Sequence, residues 1–445
     1  REHGSVLTLM FKHSFTNGMT WNVDTRDVWH TDSARGYDVI SIRPDLMHVG
    51  RRARGQINKR RYDYLDTNLQ MPFKLFGFGH KMVVGMTEGR VDNTFDRLQF
   101  FNAPATGPTS LDIAIYNPVY HQVPPLWQLP LANSPKSLND RNTQIHSFGA
   151  YFDDMITFTQ QWKAAVGLRY SRLSQTYDET FPEVPGLTAN SSKTNTKFLP
   201  MAGLVYQPDL HWSYYLSYST SFVPPPPQAI NAQGVNDFIP TSAKQFEIGT
   251  KTNWFDNRLR TTLAFYQINE KDTLSHSHCA IGTCYQQVGK ARSKGAELEV
   301  NAQPMPNWQI TAGYSYTDAR ITSSTNPAEI NTRLPDVPVN SEHLWSRYDF
   351  ESSVLQGVGF GVGIIHNGQR EGVTPKKFNE VILKLPAYTR VDAALYYEKA
   401  SYSLTFKVEN IFDTTYYQSA GFNGDINLLP GNPRLITLSA RFFFE

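Results

Sequence analysis

Alternation of apolar and polar residues with a period of two runs through most of this 445-residue chain. In its clearest stretch, Phe246, Ile248 and Trp254 share one face of an extended chain, while Glu247 and Lys251 share the other. Successive side chains of a β-strand point to opposite faces, so this pattern predicts strands with one apolar and one polar side. Helical periodicity does not extend over a comparable length of the sequence. The chain is therefore predicted to be all-β.

The alternation predicts about seventeen strands, and the whole chain, 1–445, is predicted to form one domain. The predicted strands cover residues 5–15, 19–30, 61–74, 76–91, 145–159, 161–178, 196–208, 211–222, 242–254, 257–272, 285–303, 306–322, 340–352, 357–370, 386–399, 401–411 and 432–445. Strands of soluble proteins average about five to six residues, and these are about twice as long. The lengths favour a transmembrane β-barrel over a soluble sandwich or propeller.

The connectors between these strands alternate between short and long. Residues 16–18, 255–257 and 304–306 are short, whereas residues 92–143, 223–241 and 411–430 are long. Outer-membrane barrels have short turns on the periplasmic side and longer loops on the extracellular side. The connector lengths therefore predict an antiparallel barrel in the bacterial outer membrane, with lipid around it.

Composition supports the barrel, rules out membrane-spanning helices and gives no support to nucleic-acid binding. The sequence lacks the run of roughly 18 apolar residues that a membrane helix needs, and a net charge of +2 gives no reason to expect a nucleic-acid partner. The chain nevertheless has 27 Phe, 23 Tyr and 8 Trp. Rings at strand ends predict the aromatic girdles of a membrane barrel; examples are Trp162, Trp212, Trp254, Trp308 and Phe444.

The two cysteines, Cys279 and Cys284, stand close enough in sequence to pair across one loop. Without other thiols in the chain, a disulfide in an oxidising compartment is the favoured interpretation. The nearby His276 and His278 allow an alternative, a zinc site with two nitrogen and two sulfur ligands.

Strand parity predicts that the chain lacks N-terminal strands. A strand that precedes a short periplasmic turn runs down toward the periplasm, and the first predicted strand is of this kind. If the last strand also runs down, the antiparallel chain contains an odd number of strands. Bacterial barrels of this type have even numbers of strands. The start of the sequence also has no signal peptide.

Several segments, in their order and spacing, resemble a known family. They are STSF at 219–222, AKQFEIG at 243–249, RSKGAELE at 292–299, GYSYTDA at 313–319, VENIFDTTY at 408–416 and GNPR at 431–434. Together they resemble the C-terminal part of TonB-dependent ferric-siderophore receptors, most closely the ferric-hydroxamate branch. One departure from the family is Glu445, which follows Phe444 where the family usually stops on an aromatic residue.

The resemblance implies a 22-stranded barrel with an N-terminal plug in its lumen, of which this chain holds about the last seventeen strands without the plug. It also implies a monomeric receptor and active importer of ferric siderophores, energised by the TonB complex through the missing N-terminal region. Iron would arrive inside its chelate, so we expect no protein metal ligands, no cofactor and no catalytic residues.

Ligand contacts are expected in the extracellular loops, where rings and hydrogen-bonding groups can surround a bulky chelate. A girdle or loop-packing role is the alternative for each ring. The candidates are Tyr116, Tyr120, His121, Trp127, Phe222, Phe238, Tyr285, Gln286, Phe378, Tyr417 and Phe422.

Other residues have structural interpretations. Asn410 and Asp413 follow an alternating strand and predict a turn capped by side chains. Gly295 predicts a bulge or a close approach of the backbone. Charges on the polar face predict a solvated or plug-contacting wall; they include Lys163, Arg169, Glu247, Lys251, Glu297, Glu299, Lys407, Glu409 and Arg441.

Alternative functions remain at this point. The same scaffold imports haem, cobalamin or other large solutes, although the segment Ser221-Phe222-Val223-Pro224 lacks the second element usual in haem receptors. A passive pore is a further alternative. An outer-membrane lipase or protease is disfavoured, because the sequence has no Gly-x-Ser-x-Gly elbow and no convincing Ser, His and Asp grouping.

Overall fold

The computed structural model describes residues 2–99, 111–120, 138–179, 190–279, 282–352, 354–420 and 428–443. Twenty-two strands occur in these ranges. They are β1 Glu2–Ser14, β2 Thr20–Ile42, β3 His48–Leu75, β4 Phe78–Gln99, β5 Ile113–Ala114, β6 Leu138–Thr157, β7 Trp162–Glu179, β8 Ser191–Tyr206, β9 Trp212–Val223, β10 Thr241–Trp254, β11 Leu259–Cys279, β12 Gly282–Met305, β13 Trp308–Ser323, β14 Asn340–Asp349, β15 Val358–Asn367, β16 Arg370–Glu371, β17 Lys384–Leu385, β18 Tyr388–Glu398, β19 Tyr402–Glu409, β20 Tyr417–Ala420, β21 Leu428–Pro430 and β22 Leu435–Phe442.

Seventeen of these strands form one antiparallel sheet in which each long strand pairs with the next long strand along the chain. They lie where the alternation predicts them, so the predicted fold class and strand count are confirmed. Strand β5 adds a short pairing at the start of β3. The pairs β16–β17 and β20–β21 and a 3-10 helix at Pro327–Glu329 lie in the long connectors.

The predicted connector at 92–143 is wrong in its bounds. Strand β4 continues to Gln99 and β6 begins at Leu138, while β2 and β3 form one long hairpin that turns at 43–47. These extensions carry polar residues on both faces. Above the membrane both faces meet water, so hydrophobicity stops alternating although the strands continue. The alternation therefore marks only the part of each strand that crosses the lipid.

The two faces of the sheet differ as predicted. Ile248 lies opposite Leu216 on the apolar face, and both side chains are exposed on the outside of the sheet. On the polar face the hydroxyl of Tyr215 donates a hydrogen bond of 2.7 Å to Glu247. We call these two sides the apolar face and the polar face. The apolar face is the one that lipid can cover, and the polar face lines the lumen.

Aromatic rings cluster at two levels of the apolar face. At the short-turn end, Trp162 packs on Tyr206 with ring centroids 4.5 Å apart, and further pairs continue this girdle. Toward the long-loop end, Tyr170 packs on Phe198 at 5.2 Å. Eight residues separate Trp162 from Tyr170, about 26 Å along a strand. Strands of such barrels tilt by about 35–45°, so this spacing corresponds to about 20 Å across the membrane, of the same order as the roughly 25 Å apolar band, and the ring positions agree with the predicted girdles. Phe444 lies outside the described residues.

Strands β1 and β22 are the two edges of the sheet in the described part of the chain. Strand β1 pairs with β2, and β22 pairs with β19. Nearly every residue of both strands is exposed. Within the described ranges, no helix is long and apolar enough to cross a membrane.

Candidate ligand-binding site at the long-loop end

Two of the predicted ligand rings, Tyr116 and Tyr120, lie in the described segment 111–120 and are 76% and 67% exposed. The segment is anchored to the β2–β3 hairpin. Arg43 donates two hydrogen bonds, of 2.6 and 2.7 Å, to the carboxylate of Asp112. Arg51 donates a third, of 2.5 Å, to the carbonyl oxygen of Leu111. The two rings are thus presented to solvent on a fixed support.

The tip of this hairpin is held by charge-assisted contacts. Its hydrogen bonds to Asp112 raise the pKa of Arg43 above its ordinary value. The ring of His48 lies 2.7 Å from the Asp45 carboxylate, and this contact lowers the pKa of Asp45. Both shifts favour the charged forms, so the Arg43 guanidinium and the Asp45 carboxylate stay ionised at neutral pH.

The loop at 224–240 folds over β8 and the β11–β12 hairpin. Phe238 is only 5% exposed, and its carbonyl oxygen accepts a hydrogen bond from Lys193. The main-chain N–H of Tyr285 donates to the carbonyl oxygen of Ile230 at 2.8 Å. Phe238 therefore supports the loop from inside. Tyr285 and Gln286 are half-buried beside it.

The other predicted ring residues occupy different environments. Phe222 pairs with Ser242 near the end of β9, in phase with the apolar face. Phe378 is 71% exposed in the connector between β15 and β18. Tyr417 is half-buried in β20. His121, Trp127 and Phe422 lie outside the described residues.

The connectors between β13 and β14, β15 and β18, and β19 and β22 pack on one another. We call residues 324–339, 368–387 and 410–434, so far as they are described, the loop layer. Arg370 is only 4% exposed and donates to the carbonyl oxygens of Tyr417 and Gln418. The N–H of Ala420 donates 3.0 Å to Asp336. Side chains thus join the three connectors.

The turn at Asn410 belongs to this layer and confirms the predicted side-chain cap. Asn410 is almost fully buried and has a φ of 54°. Its side-chain amide donates 3.0 Å hydrogen bonds to the carbonyl oxygens of Thr414 and Asn432, and its side-chain oxygen accepts from the N–H of Thr414. Asp413 accepts from the N–H of Arg434 at 2.8 Å. Both residues hold the chain where β19 leaves the membrane.

The predicted close approach at Gly295 is also confirmed. A Cβ atom at this position would lie 2.2 Å from the carbonyl oxygen of Tyr316 and 2.7 Å from the hydroxyl of Tyr266. The ring of Tyr266 covers the glycine across the strand pair. Only glycine leaves room for that ring on the polar face.

Charges on the lumen side bind one another and nearby polar groups. Arg169 donates 2.6 Å to the hydroxyl of Thr87, and Lys407 pairs with Glu409 at 2.5 Å. Lys163 donates 3.1 Å to Gln207. These contacts agree with the interpretation of the polar face as a hydrated wall.

Sequence reasoning missed a group of arginines on the polar face, because it ended β2 at residue 30, began β3 at 61 and ended β4 at 91. The extended strands add Arg54, Arg60 and Arg97, and β6 adds Arg141. The run Arg51-Arg52-Ala53-Arg54 and the basic residues 59–61 were the available signal.

At the tip of the β11–β12 hairpin, Cys279 pairs with Gly282 and Ser277 with Cys284 along the ladder. Cys284 is buried. The side chains of Cys279, His276 and His278 lie outside what the structure describes. Both the disulfide and the zinc alternative stay predictions.

Comparison with known proteins gives the family. Residues 2–411 of this chain match the sequence pattern of a family described as TonB dependent receptor-like, beta-barrel. The metal-pseudopaline receptor CntO of Pseudomonas aeruginosa is 30% identical over 364 residues, which are 81% of this chain and 48% of that protein. The catecholate siderophore receptor Fiu of Escherichia coli is 27% identical over 407 residues, 85% of this chain and 50% of that protein.

Solved structures share the fold. The crystal structure of Fiu in its closed form superposes with a TM-score of 0.80 at 23% identity, covering 100% of this chain and 64% of that one. The siderophore receptor PiuA from Acinetobacter baumannii gives a TM-score of 0.80 at 20% identity, with 99% and 64% coverage. The chain thus spans about half the length of the curated relatives it matches.

Proposed function

Because this chain belongs to the family of TonB-dependent receptor β-barrels, we propose that it forms the barrel part of an active importer of ferric siderophores. Proteins of this family are outer-membrane transport receptors and not enzymes, which confirms the predicted location and the prediction that the chain is not an enzyme. The observation that carries the proposal is the family match over residues 2–411. Relatives named for siderophores or metal chelates support it.

The long-loop end is where the chelate would bind. Exposed rings on an anchored segment, such as Tyr116 and Tyr120, provide apolar surface for a bulky ligand. The chelator already fills the coordination sphere of iron, so the protein needs to recognise only the outside of the complex. Loops held by a rigid barrel are suited to that task.

Energy for transport is proposed to come from the TonB complex. It would act through an N-terminal plug, and further strands would complete the barrel between the β1 and β22 edges as a monomer in the lipid. Barrels of this size hold a plug in the lumen. The hydrogen-bonded charges of the polar face would then contact the plug as well as water.

The chemical class of the siderophore is a finer proposal. The segments from 219–222 to 431–434 that resemble the family favour a hydroxamate chelate. CntO and Fiu, in contrast, are named for metal-pseudopaline and for a catecholate siderophore, so the test should compare classes directly.

Uptake of radiolabelled iron tests the function. The full-length receptor is produced in cells that lack their own receptors, and hydroxamate and catecholate chelates are compared with haem and cobalamin. We expect uptake of at least one ferric siderophore, lost when the proton gradient is collapsed. Uptake of haem or cobalamin alone would contradict the assignment of a ferric siderophore as the substrate. Uptake without the proton gradient would contradict the energised mechanism.

Removing several loop rings together tests the binding surface. We expect the combined change of Tyr116, Tyr120, Trp127 and Phe422 to Ala to weaken siderophore binding while the barrel stays folded, because each ring contributes apolar burial of about 25 cal/mol per Å². Leu210→Ala is the control, since Leu210 is 85% exposed at the opposite, short-turn end.

A further inference from the structure

We infer that the polar face of the extended strands β2, β3, β4, β6 and β7 binds negatively charged groups of the imported chelate. We call these five strands the tall wall, and Arg54, Arg60, Arg97 and Arg141 the basic wall. The inference rests on the proposed function and adds to it the charge of the substrate.

The arginines lie above the lipid, on the side of the sheet that lines the lumen. Arg97 is 19 residues from the start of β4 at Phe78, about 60 Å along the strand. The apolar band of such barrels is only about 25 Å tall. The pairings of β2 to β3, β3 to β4, β4 to β6 and β6 to β7 run without a register shift as far as Val39, so the faces do not exchange before that point.

Cross-strand pairing brings these side chains into adjacent rows. One row runs from Asp32 through Asn58, Phe95 and Arg141 to Glu179. The row beneath it pairs His30 with Arg60 and continues into Asn93. The row above pairs Gln56 with Arg97. Directly opposite residues on one face are neighbours, so the rows make a continuous surface.

Contacts within the rows hold the guanidinium groups in place. Arg97 and Arg141 both lie against the ring of Phe95, with centroid distances of 4.8 and 5.7 Å. Arg60 donates 2.6 Å to Asp32, and Arg141 donates 3.1 Å to Glu179. A guanidinium fixed in this way loses less conformational entropy when it binds a carboxylate or phenolate.

Charge is unequal between the two faces of the same strands. From the His30–Arg60 row upward, the described side chains on the polar face of these five strands include four arginines and two carboxylates, Asp32 and Glu179, and Glu2 of the neighbouring β1 adds a third carboxylate opposite Asp32. The other face is balanced over the same rows, with three cations and three carboxylates: Arg35, Arg51, Lys59, Asp96, Asp140 and Asp178. Among the described side chains, the excess of positive charge is therefore on the face that lines the lumen.

An excess of positive charge above the membrane attracts an anionic solute and orients it toward the lumen. Iron(III) held by three catecholates carries three negative charges, whereas iron(III) held by three hydroxamates has no net charge at the metal. A hydroxamate chelate with carboxylates at its periphery is also anionic. The property that the basic wall selects is thus the total charge of the chelate.

Binding measurements on the full-length receptor test this inference. The probes are the iron(III) complexes of a tripodal tris-catechol and of a neutral tripodal tris-hydroxamate, each titrated at about 50 and 200 mM salt. We expect the anionic probe to bind more tightly, with an affinity that falls as salt rises. The double variant Arg97→Gln/Arg141→Gln should weaken anionic binding about tenfold or more and leave neutral binding within about twofold.

Two controls separate charge from folding. Arg35→Gln/Lys59→Gln removes two cations from the other face of the same strands and should change anionic binding by less than about twofold. Arg97→Lys/Arg141→Lys keeps the charge but loses the stacked guanidinium groups, so it should retain more anionic affinity than Arg97→Gln/Arg141→Gln and less than the wild type.

The outcomes distinguish this inference from the proposed function. Unchanged anionic binding in Arg97→Gln/Arg141→Gln, an equal loss in Arg35→Gln/Lys59→Gln, or tighter binding of the neutral probe would overturn the inference and leave a siderophore receptor in place. Failure of the wild-type receptor to bind or import any ferric chelate would overturn both.

Discussion

The tall wall rises above the membrane by extending its strands, whereas the loop layer rises by packing irregular segments against one another. Strands of the tall wall have 18 to 28 residues. Strands β14, β15, β18, β19 and β22, which carry the loop layer, have only 8 to 11. Both structures reach the same end of the barrel.

The difference determines what holds each region. In the tall wall the main-chain ladder satisfies the backbone, so its side chains are not needed to hold the main chain. In the loop layer the backbone depends on side chains such as Asn410 and Arg370. Losing a side chain should therefore cost more stability in the loop layer than in the tall wall.

The largest effect is expected from Asn410→Ala. The change removes three side-chain hydrogen bonds, each worth about 1 kcal/mol net, and places alanine at a φ of 54°, which costs about 1–2 kcal/mol. We expect the free energy of unfolding to fall by about 4 kcal/mol in urea titrations of the receptor in lipid vesicles. Asn410→Gly is the control, because glycine accepts the backbone angle; it should lose about 3 kcal/mol. Equal stability of wild type and Asn410→Ala would contradict this description of the loop layer.

Below both regions, the membrane-crossing part tests the assignment of faces. Ile248→Arg places a charge on the lipid side near the midplane and should cost about 2–4 kcal/mol. Lys251→Arg lies on the polar face of the same strand and should cost much less. A second pair, Ala312→Arg and Gln309→Arg, should give the same ranking. If vesicle folding titrations rank either pair in the opposite order, the two faces are assigned the wrong way round.

The extended β11–β12 hairpin differs from the tall wall, because we expect a covalent bond between side chains to add to its main-chain ladder. We predict that Cys279 and Cys284 form a disulfide in protein taken from the cell envelope. The closed loop is short, so its entropic contribution should be modest, under about 3 kcal/mol. Mass spectrometry with and without reductant detects the disulfide, and two free thiols or stoichiometric zinc would disprove the pairing.

The smallest effect is expected in the tall wall itself. Asn58 is buried and donates 2.6 Å to Asp32. We expect Asn58→Ala to cost about 1–2 kcal/mol, because the ladder on both sides of β3 stays intact. A loss as large as that of Asn410→Ala, in the same urea titration, would remove the distinction between the two regions.

Within the described ranges, sequence reasoning found every membrane-crossing strand, since lipid on one side and water on the other impose alternation on residues such as Ile248 and Lys251. It missed the upper halves of β2, β3 and β4, where both faces are hydrated and the pattern disappears. Arg54, Arg60 and Arg97 of the basic wall lie in those upper halves, and Arg141 lies at the start of β6, before the predicted strand 145–159, so the proposed anion site was missed with them.

The loops show a similar division. The turn at Asn410 and Asp413 was predictable because Asn and Asp accept positive φ and cap their own turns. Phe238 was chosen by residue type alone; the structure buries it, and its main-chain carbonyl oxygen accepts a hydrogen bond from Lys193, which lies 45 residues away in sequence. Contacts of that range leave no local pattern.

Sidedness is the central claim, because both the loop layer and the basic wall must face outside the cell to receive a chelate. It is tested by cysteine labelling in a background with Cys279 and Cys284 changed to Ser. Phe378→Cys lies in the loop layer and Leu210→Cys in a short turn, and both native side chains are highly exposed. A membrane-impermeant maleimide should label Phe378→Cys on intact cells and Leu210→Cys only after the outer membrane is permeabilised. Labelling of Leu210→Cys but not of Phe378→Cys on intact cells would contradict the account.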